Sequence, residues 1–152
     1  MKNPIKFIAF CFAIFLTACT SVEVKPVSDA SLLRNVCIEK NPRVTVPGFL
    51  EALQDGFANH DIKTKVISAG KYDSCDAILT YTALRSWDLK PYLSHAELRL
   101  NTPDGRRLGH AIYHLDGGGG FDLSKFSGVR EKMFPVIDQL LGGKPATQQQ
   151  QH

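Results

Sequence analysis

Residues 93–115 read LSHAELRLNTPDGRRLGHAIYHL, and the alternation within them decides the fold class. Between Leu93 and Asn101, Ala96, Leu98 and Leu100 alternate with His95, Glu97 and Arg99, which is the period of a strand with one face buried and one in water. Thr102-Pro103-Asp104-Gly105 then turns the chain. Proline pre-sets the second turn position, and glycine takes the left-handed conformation that closes a bulged hairpin. Arg106 to Leu115 returns as the partner strand. Pairing Thr102 with Arg106 places Leu98 opposite His110, His95 opposite Tyr113 and Ser94 opposite His114. No two histidines meet in that register, and the row of His95, Glu97 and Arg99 lies across from small Gly109 and Ala111.

Working outward, Asp76 to Trp87 (DAILTYTALRSW) reads as a long strand, apolar on both faces near Ile78 and Leu79 and therefore central. Ile62 to Ser68 is a strand rich in β-branched residues, and Arg34 to Lys40 a short one carrying Cys37. Between these two, Phe49, Leu50, Leu53 and Phe57 fall on one helical face, with Glu51, Gln54 and Asp55 on the other. Downstream, a final helix capped by Ser127 buries Phe126, Val129, Met133, Phe134, Ile137, Leu140 and Leu141, with Pro135 inside it as a kink or a late start. The order is β-α-β-β-β-β-α: a single α+β domain over 34–141, a mostly antiparallel sheet of about five strands with two helices on one face. Gly142-Gly143 ends the helix, and 142–152, rich in glutamine, reads as a disordered tail.

The N-terminus has a different composition. Lys2 and Lys6 precede an unbroken apolar run, Phe7 to Leu16, the size of a secretory signal's core and short of the roughly 20 residues a membrane-spanning helix needs. The run ends in Leu16-Thr17-Ala18-Cys19, which matches a bacterial lipobox. Residues 1–18 are then a lipoprotein signal peptide and Cys19 the lipid anchor, acylated by chains such as palmitate. An ordinary cleaved signal with an incidental cysteine is the alternative. Thr20 rather than Asp after the anchor favours the outer membrane, with the protein facing the periplasm. Residues 19–33 (CTSVEVKPVSDASLL), lacking strong periodicity, read as the lipidated N-terminus and a tether.

Of the four cysteines, Cys11 leaves with the signal and Cys19 carries lipid. Cys37 and Cys75 remain, an even pair in an oxidising compartment, and read as a disulfide. Two buried thiols are the alternative. Without residues 1–18 the chain loses two of its 18 basic residues and none of its 15 acidic ones. A net charge of about +1 is too small for a nucleic-acid binder.

No constellation for catalysis stands out. His110 and His114 are four apart, but on a strand that spacing is about 13 Å, too far to share one ion. No nucleophile elbow or cofactor motif occurs. Asp116 to Asp122 (DGGGGFD) lacks the Gly-Lys-Ser/Thr ending of a phosphate loop and reads as a flexible connector. Ser86 to Tyr92 (SWDLKPY) holds the single tryptophan. Trp87, Asp88 and Tyr92, with the adjoining row of His95, Glu97 and Arg99, are the candidate partner contacts, because large rings beside mixed charge on rigid strands form a contact surface. The bland alternative is a loop whose aromatics fold back over the edge of the core.

Several stretches also resemble an uncharacterised family of small proteobacterial lipoproteins: Val36-Cys37-Ile38-Glu39, Cys75 to Leu84 (CDAILTYTAL), Ser86-Trp87-Asp88, Pro91 to Leu100 (PYLSHAELRL), Tyr113-His114-Leu115 and the Lys132 to Ile137 helix. The resemblance implies a lipoprotein and a real helix around Pro135; it implies no activity. The expected function is a membrane-anchored, periplasm-exposed, non-enzymatic binding or accessory module of the cell envelope. Its partners would be the membrane, through lipid, and an envelope protein or wall component. An anchored hydrolase or metal-dependent enzyme is the alternative, and would need Asp88, His95, Glu97 or His110 to converge in a cleft.

Overall fold

The computed structural model describes residues 20–72, 74–115 and 123–143. The expected signal peptide 1–18, Cys19, the expected connector 116–122 and the expected tail from 144 onward lie outside the described residues. Six strands form one sheet: β1 (Thr20–Lys25), β2 (Asn35–Glu39), β3 (Lys63–Ile67), β4 (Ala77–Trp87), β5 (Pro91–Asn101) and β6 (Arg107–Leu115). Their spatial order is β1-β6-β5-β4-β2-β3. The pairs β1/β6, β6/β5 and β5/β4 are antiparallel, whereas β2 runs parallel to both β3 and β4. Two helices, α1 (Phe49–Ala58) and α2 (Val129–Leu140), complete the α+β domain.

The sixth strand corrects the reading of 19–33 as a tether. Thr20–Lys25 pairs along its full length with β6, Thr20 opposite Leu115 and Lys25 opposite His110. Val22 and Val24 share the face of Tyr113 and Ala111, an alternation short enough to pass for irregular sequence. Beyond it, Val27 and Leu33 are buried, and the Val27 amide donates to the Leu140 carbonyl at 2.8 Å, tying the segment to the end of α2. The folded domain therefore starts at Thr20 and not at 34. It also runs slightly further at the other end, since the amides of Gly142 and Gly143 bond back to Gln139 and Asp138.

One face of the sheet carries the core. Val36, Ile38, Leu79, Tyr81, Leu98, Leu100, Ala111 and Tyr113 pack under Phe49, Leu53 and Phe57 of α1 and Met133, Val136, Ile137 and Leu140 of α2. Each wholly buried side chain of this kind contributes roughly 1.5–3 kcal/mol. The helices approach closely because Gly56 faces Ile137: a Cβ there would lie 2.3 Å from the isoleucine Cδ1. Polar pairs tie the same interface: His60 Nε2 lies 2.7 Å from Asp138 Oδ1, and Arg130 pairs with Asp55 at 2.6 Å. In α2 the face differs from expectation. Phe126 belongs to a short 3-10 turn, Leu123–Phe126, Phe134 is only half-buried, and Gly128 rather than Ser127 precedes the helix. The Gly128 amide donates to the Glu131 carboxylate at 3.1 Å. Pro135 sits inside α2 on its exposed side, where the carbonyl it leaves unbonded can meet water.

Cys37 and Cys75 are disulfide-bonded, with Cα atoms 5.7 Å apart. The bond joins β2 to the start of β4, two strands that are already paired, and closes a loop containing α1 and β3. In the chain-entropy model a loop of about 39 residues is worth ~3.9 kcal/mol.

Candidate functional site

Opposite the helices the sheet is uncovered, and its side chains fall in rows across the strands. Ser21, His114, His95 and Leu84 form one row; Glu23, Ile112, Glu97 and Thr82 the next; Lys25, His110, Arg99 and Thr80 a third. The sequence register is therefore corrected by one residue. His95 faces His114, Glu97 faces Ile112 and Arg99 faces His110, because the β5/β6 ladder shifts between Leu100 and Asn101. Leu108 is the extra residue. The turn itself is as expected: Gly105 has φ 91° and the Thr102 amide donates to the Arg106 carbonyl at 2.8 Å.

The shift could have been found from parity. The buried residues of β5 are even-numbered (Ala96, Leu98, Leu100) and the apolar set of β6 is odd-numbered (Ala111, Tyr113, Leu115). A shared face needs opposite residues whose numbers sum to an odd value, whereas the turn pairs Thr102 with Arg106. One bulged residue is the smallest repair.

The bulge brings together groups that the sequence register kept apart. His110 Nε2 lies 2.7 Å from Glu97 Oε1, and Arg99 donates to the other carboxylate oxygen of Glu97. Burial alone would raise the Glu97 pKa, but the hydrogen bonds from His110 and Arg99 and the guanidinium charge outweigh it and hold the carboxyl below its ordinary value. The Nδ1 atoms of His95 and His114 are 3.4 Å apart and their rings meet edge to face. Among the described residues no group of three or more His, Cys, Asp or Glu is placed to hold a metal ion. On the core side, burial pushes the Tyr113 hydroxyl up to about 12.

The other candidate contacts divide. Trp87 is exposed at the tip of the β4/β5 hairpin, beside Leu89. Asp88 pairs with Lys125. Tyr92 turns inward instead and is half-buried: its ring meets Phe126 edge to face at 6.0 Å, and the Lys132 ammonium sits 5.6 Å from its centroid. Lys132 is itself buried and donates to the Leu93 and Lys125 carbonyls. A recess of about 250 Å³ lies here, between the hairpin base and the start of α2, lined by Val46, Arg85, Tyr92 and Phe126 among others. A larger hollow of about 520 Å³ lies between Val24 and Pro26 and the end of α2. The Glu97 cluster lines neither.

These features define a class: a two-layer α+β domain with a disulfide on the side away from its helices and an uncovered, partly charged sheet face. The disulfide is consistent with a periplasmic or secreted protein. No protein-family model matches the chain, and no curated protein does. Solved structures do. A PelC dodecamer from Paraburkholderia phytofirmans superimposes with a TM-score of 0.56 at 10% identity, covering 83% of this chain and 99% of that one. A dodecamer of a substituted PelC from the same organism gives 0.52 at 8% identity, with 78% and 97% covered. At such identities the likeness is one of fold.

Proposed function

We propose that the chain is a membrane-anchored, periplasm-exposed lipoprotein that serves as a non-enzymatic binding or accessory module of the bacterial cell envelope. The observation that carries this reading is the Cys37–Cys75 disulfide, an extracytoplasmic mark, behind a sequence whose signal, lipobox and following threonine point to an outer-membrane lipoprotein. Among the described residues no helix is long and apolar enough to cross a membrane, and the lipobox is the ground for assigning attachment to acyl chains on Cys19. The contact face is the uncovered row of His95, Glu97 and Arg99. On the same fold PelC copies form a dodecamer, which makes a second copy of this chain the first partner to test by sedimentation.

The Glu97–His110 pair at 2.7 Å is the observation that favours the second reading, an anchored hydrolase or metal-dependent enzyme. Against it, the pair stands on a sheet face and lines neither of the two recesses described. The deciding experiment is Cys19→Ser in the full chain. Expected are release to the soluble periplasmic fraction or retention of the uncleaved precursor, and mass mapping that finds Cys37 joined to Cys75. Normal processing with unchanged membrane attachment, or both thiols free in periplasmic material, overturns the reading.

A further inference from the structure

The strand register fixes which parts of the molecule share an end. Thr20, the first residue of β1, is opposite Leu115 of β6; the next residue of β6, His114, is opposite His95 of β5, and His95 is opposite Leu84 of β4. The point where residues 1–19 enter the fold and the β4/β5 hairpin are thus at one end of the sheet. The hairpin goes further. From Leu84, level with His114, it continues three residues to Trp87, paired with Pro91, about two residues and roughly 7 Å past the end of β6 at Leu115.

This overhang concentrates exposed apolar side chains. Leu84 is 59% exposed, Trp87 75% and Leu89 83%. Half of the exposed large hydrophobics among the described residues therefore fall within six consecutive positions. The tip is also held in shape. Asp88 pairs with Lys125, the Lys90 ammonium lies 5.1 Å from the Phe126 ring, and Tyr92 packs on that same ring. Tyr92 is spent on fixing the hairpin, while Trp87 and Leu89 stay exposed. Arg85 and Lys90 flank them, both exposed, and the one acid of the tip is already paired. An amphipathic ring and a leucine with cations beside them have the composition of a membrane-interface anchor.

We propose that the tip of this hairpin, Trp87 and Leu89, inserts into the phospholipid interface as a second membrane contact, standing the sheet end-on to the bilayer, with Leu84 three positions back on the opposite face of the strand. The occupant is the lipid surface because the chain reaches the membrane at the same end. Cys19 is one residue, 3.8 Å between Cα atoms, from β1, so an acylated Cys19 keeps this end of the sheet at the bilayer. This inference rests on the lipoprotein reading for the position of the bilayer, and its test separates the two.

Trp87 is the only tryptophan, so its emission reports the tip alone. The full chain is expressed in a bacterial host and mixed into vesicles of phosphatidylethanolamine and phosphatidylglycerol, with its intact mass recording whether Cys19 is acylated. Expected are a blue shift of Trp87 emission on vesicles, quenching by lipids brominated near the headgroup end of the chain, and loss of both in Leu89→Asp. In the Cys19→Ser chain, Trp87→Ala should lower partitioning onto the same vesicles roughly tenfold, the loss expected for withdrawing one large apolar side chain from water-excluded surroundings. Trp87 emission that stays water-like on vesicles overturns the proposal. So does emission that is already blue-shifted without lipid and indifferent to bromine, which would place the tip between copies of the chain. If the mass shows no acyl chain, the lipoprotein reading fails on its own, and the shift and quenching of the unlipidated chain still decide for or against the tip.

Discussion

At the scale of single residues, space and charge make separate predictions. A Cβ on Gly109 would lie 2.9 Å from Leu140 Cδ1, 3.0 Å from Val27 Cγ2 and 3.2 Å from the Lys25 carbonyl. Two of these neighbours are buried side chains and the third is backbone, so rotating one side chain cannot relieve all three. Gly109→Ala should cost about 1–3 kcal/mol by overpacking. Gly143→Ala, with nothing within 4 Å, should stay within about 0.5 kcal/mol of wild type. Urea midpoints at unchanged slope measure both. Glu97 gives the pH test. Its pKa is lowered in the folded state, so its contribution is present above the ordinary carboxylate value and is lost as pH falls through the lowered one. Glu97→Gln should be less stable than wild type at neutral pH by roughly 1 kcal/mol, the difference between a charged and a neutral hydrogen bond. That gap should close in acid. A gap that persists below the carboxylate range would mean that Glu97 acts through packing and not through its charge.

At the scale of elements, the bulge at Leu108 reconciles the turn with the buried faces of the two strands. Deleting Leu108 while the turn keeps Thr102 opposite Arg106 leaves Asn101 opposite Arg107 and Leu100 opposite Gly109, so Ala111, Tyr113 and Leu115 keep the core face and His110 and His114 the open one. The shortened chain should therefore keep a cooperative thermal transition. Inserting one glycine between Gly109 and His110 instead turns His110 and His114 toward α2. Each imidazole buried without a partner costs about 1–3 kcal/mol, against a total stability of only about 5–15 kcal/mol, so that chain should lose the transition. Near-ultraviolet circular dichroism of the two chains is the measurement. The same bulge marks the limit of what sequence alone could tell. Alternation in 93–115 and the helical spacing of Phe49, Leu53 and Phe57 report local burial directly, and both read correctly. Register is a relation between two segments, and a turn signature propagates it only if nothing intervenes. The His95–His114 and Glu97–His110 meetings were hidden for that reason. Tyr92 was misjudged on similar grounds. Its inward turn depends on Phe126, 34 positions away in the chain, and no local pattern announces such a contact.

At the scale of the whole molecule, the first strand changes how the domain relates to whatever precedes it. Thr20–Lys25 is polar enough, and short enough, to read as a tether. Its only strand signal is Val22 and Val24, and of these only Val24 is partly buried, with β6 lying beside it. As β1 it covers an edge of β6 that would otherwise present a row of unpaired backbone groups, and through Val27 it leads into the bond that holds the end of α2. A tether and an edge strand respond oppositely to engineering. Replacing residues 20–25 with alternating glycine and serine should be harmless to a tether. For an edge strand it removes the partly buried Val24, the more exposed Val22 and a six-residue ladder, and stability should fall by about 2–3 kcal/mol. Inserting ten flexible residues between Cys19 and Thr20 makes the converse test, because it lengthens the connection without touching a pair. That variant should unfold within about 0.5 kcal/mol of wild type. Chemical denaturation of the two chains side by side gives the answer. If the replaced chain is as stable as wild type, the six residues contribute no structure and the domain begins where Val27 enters the core.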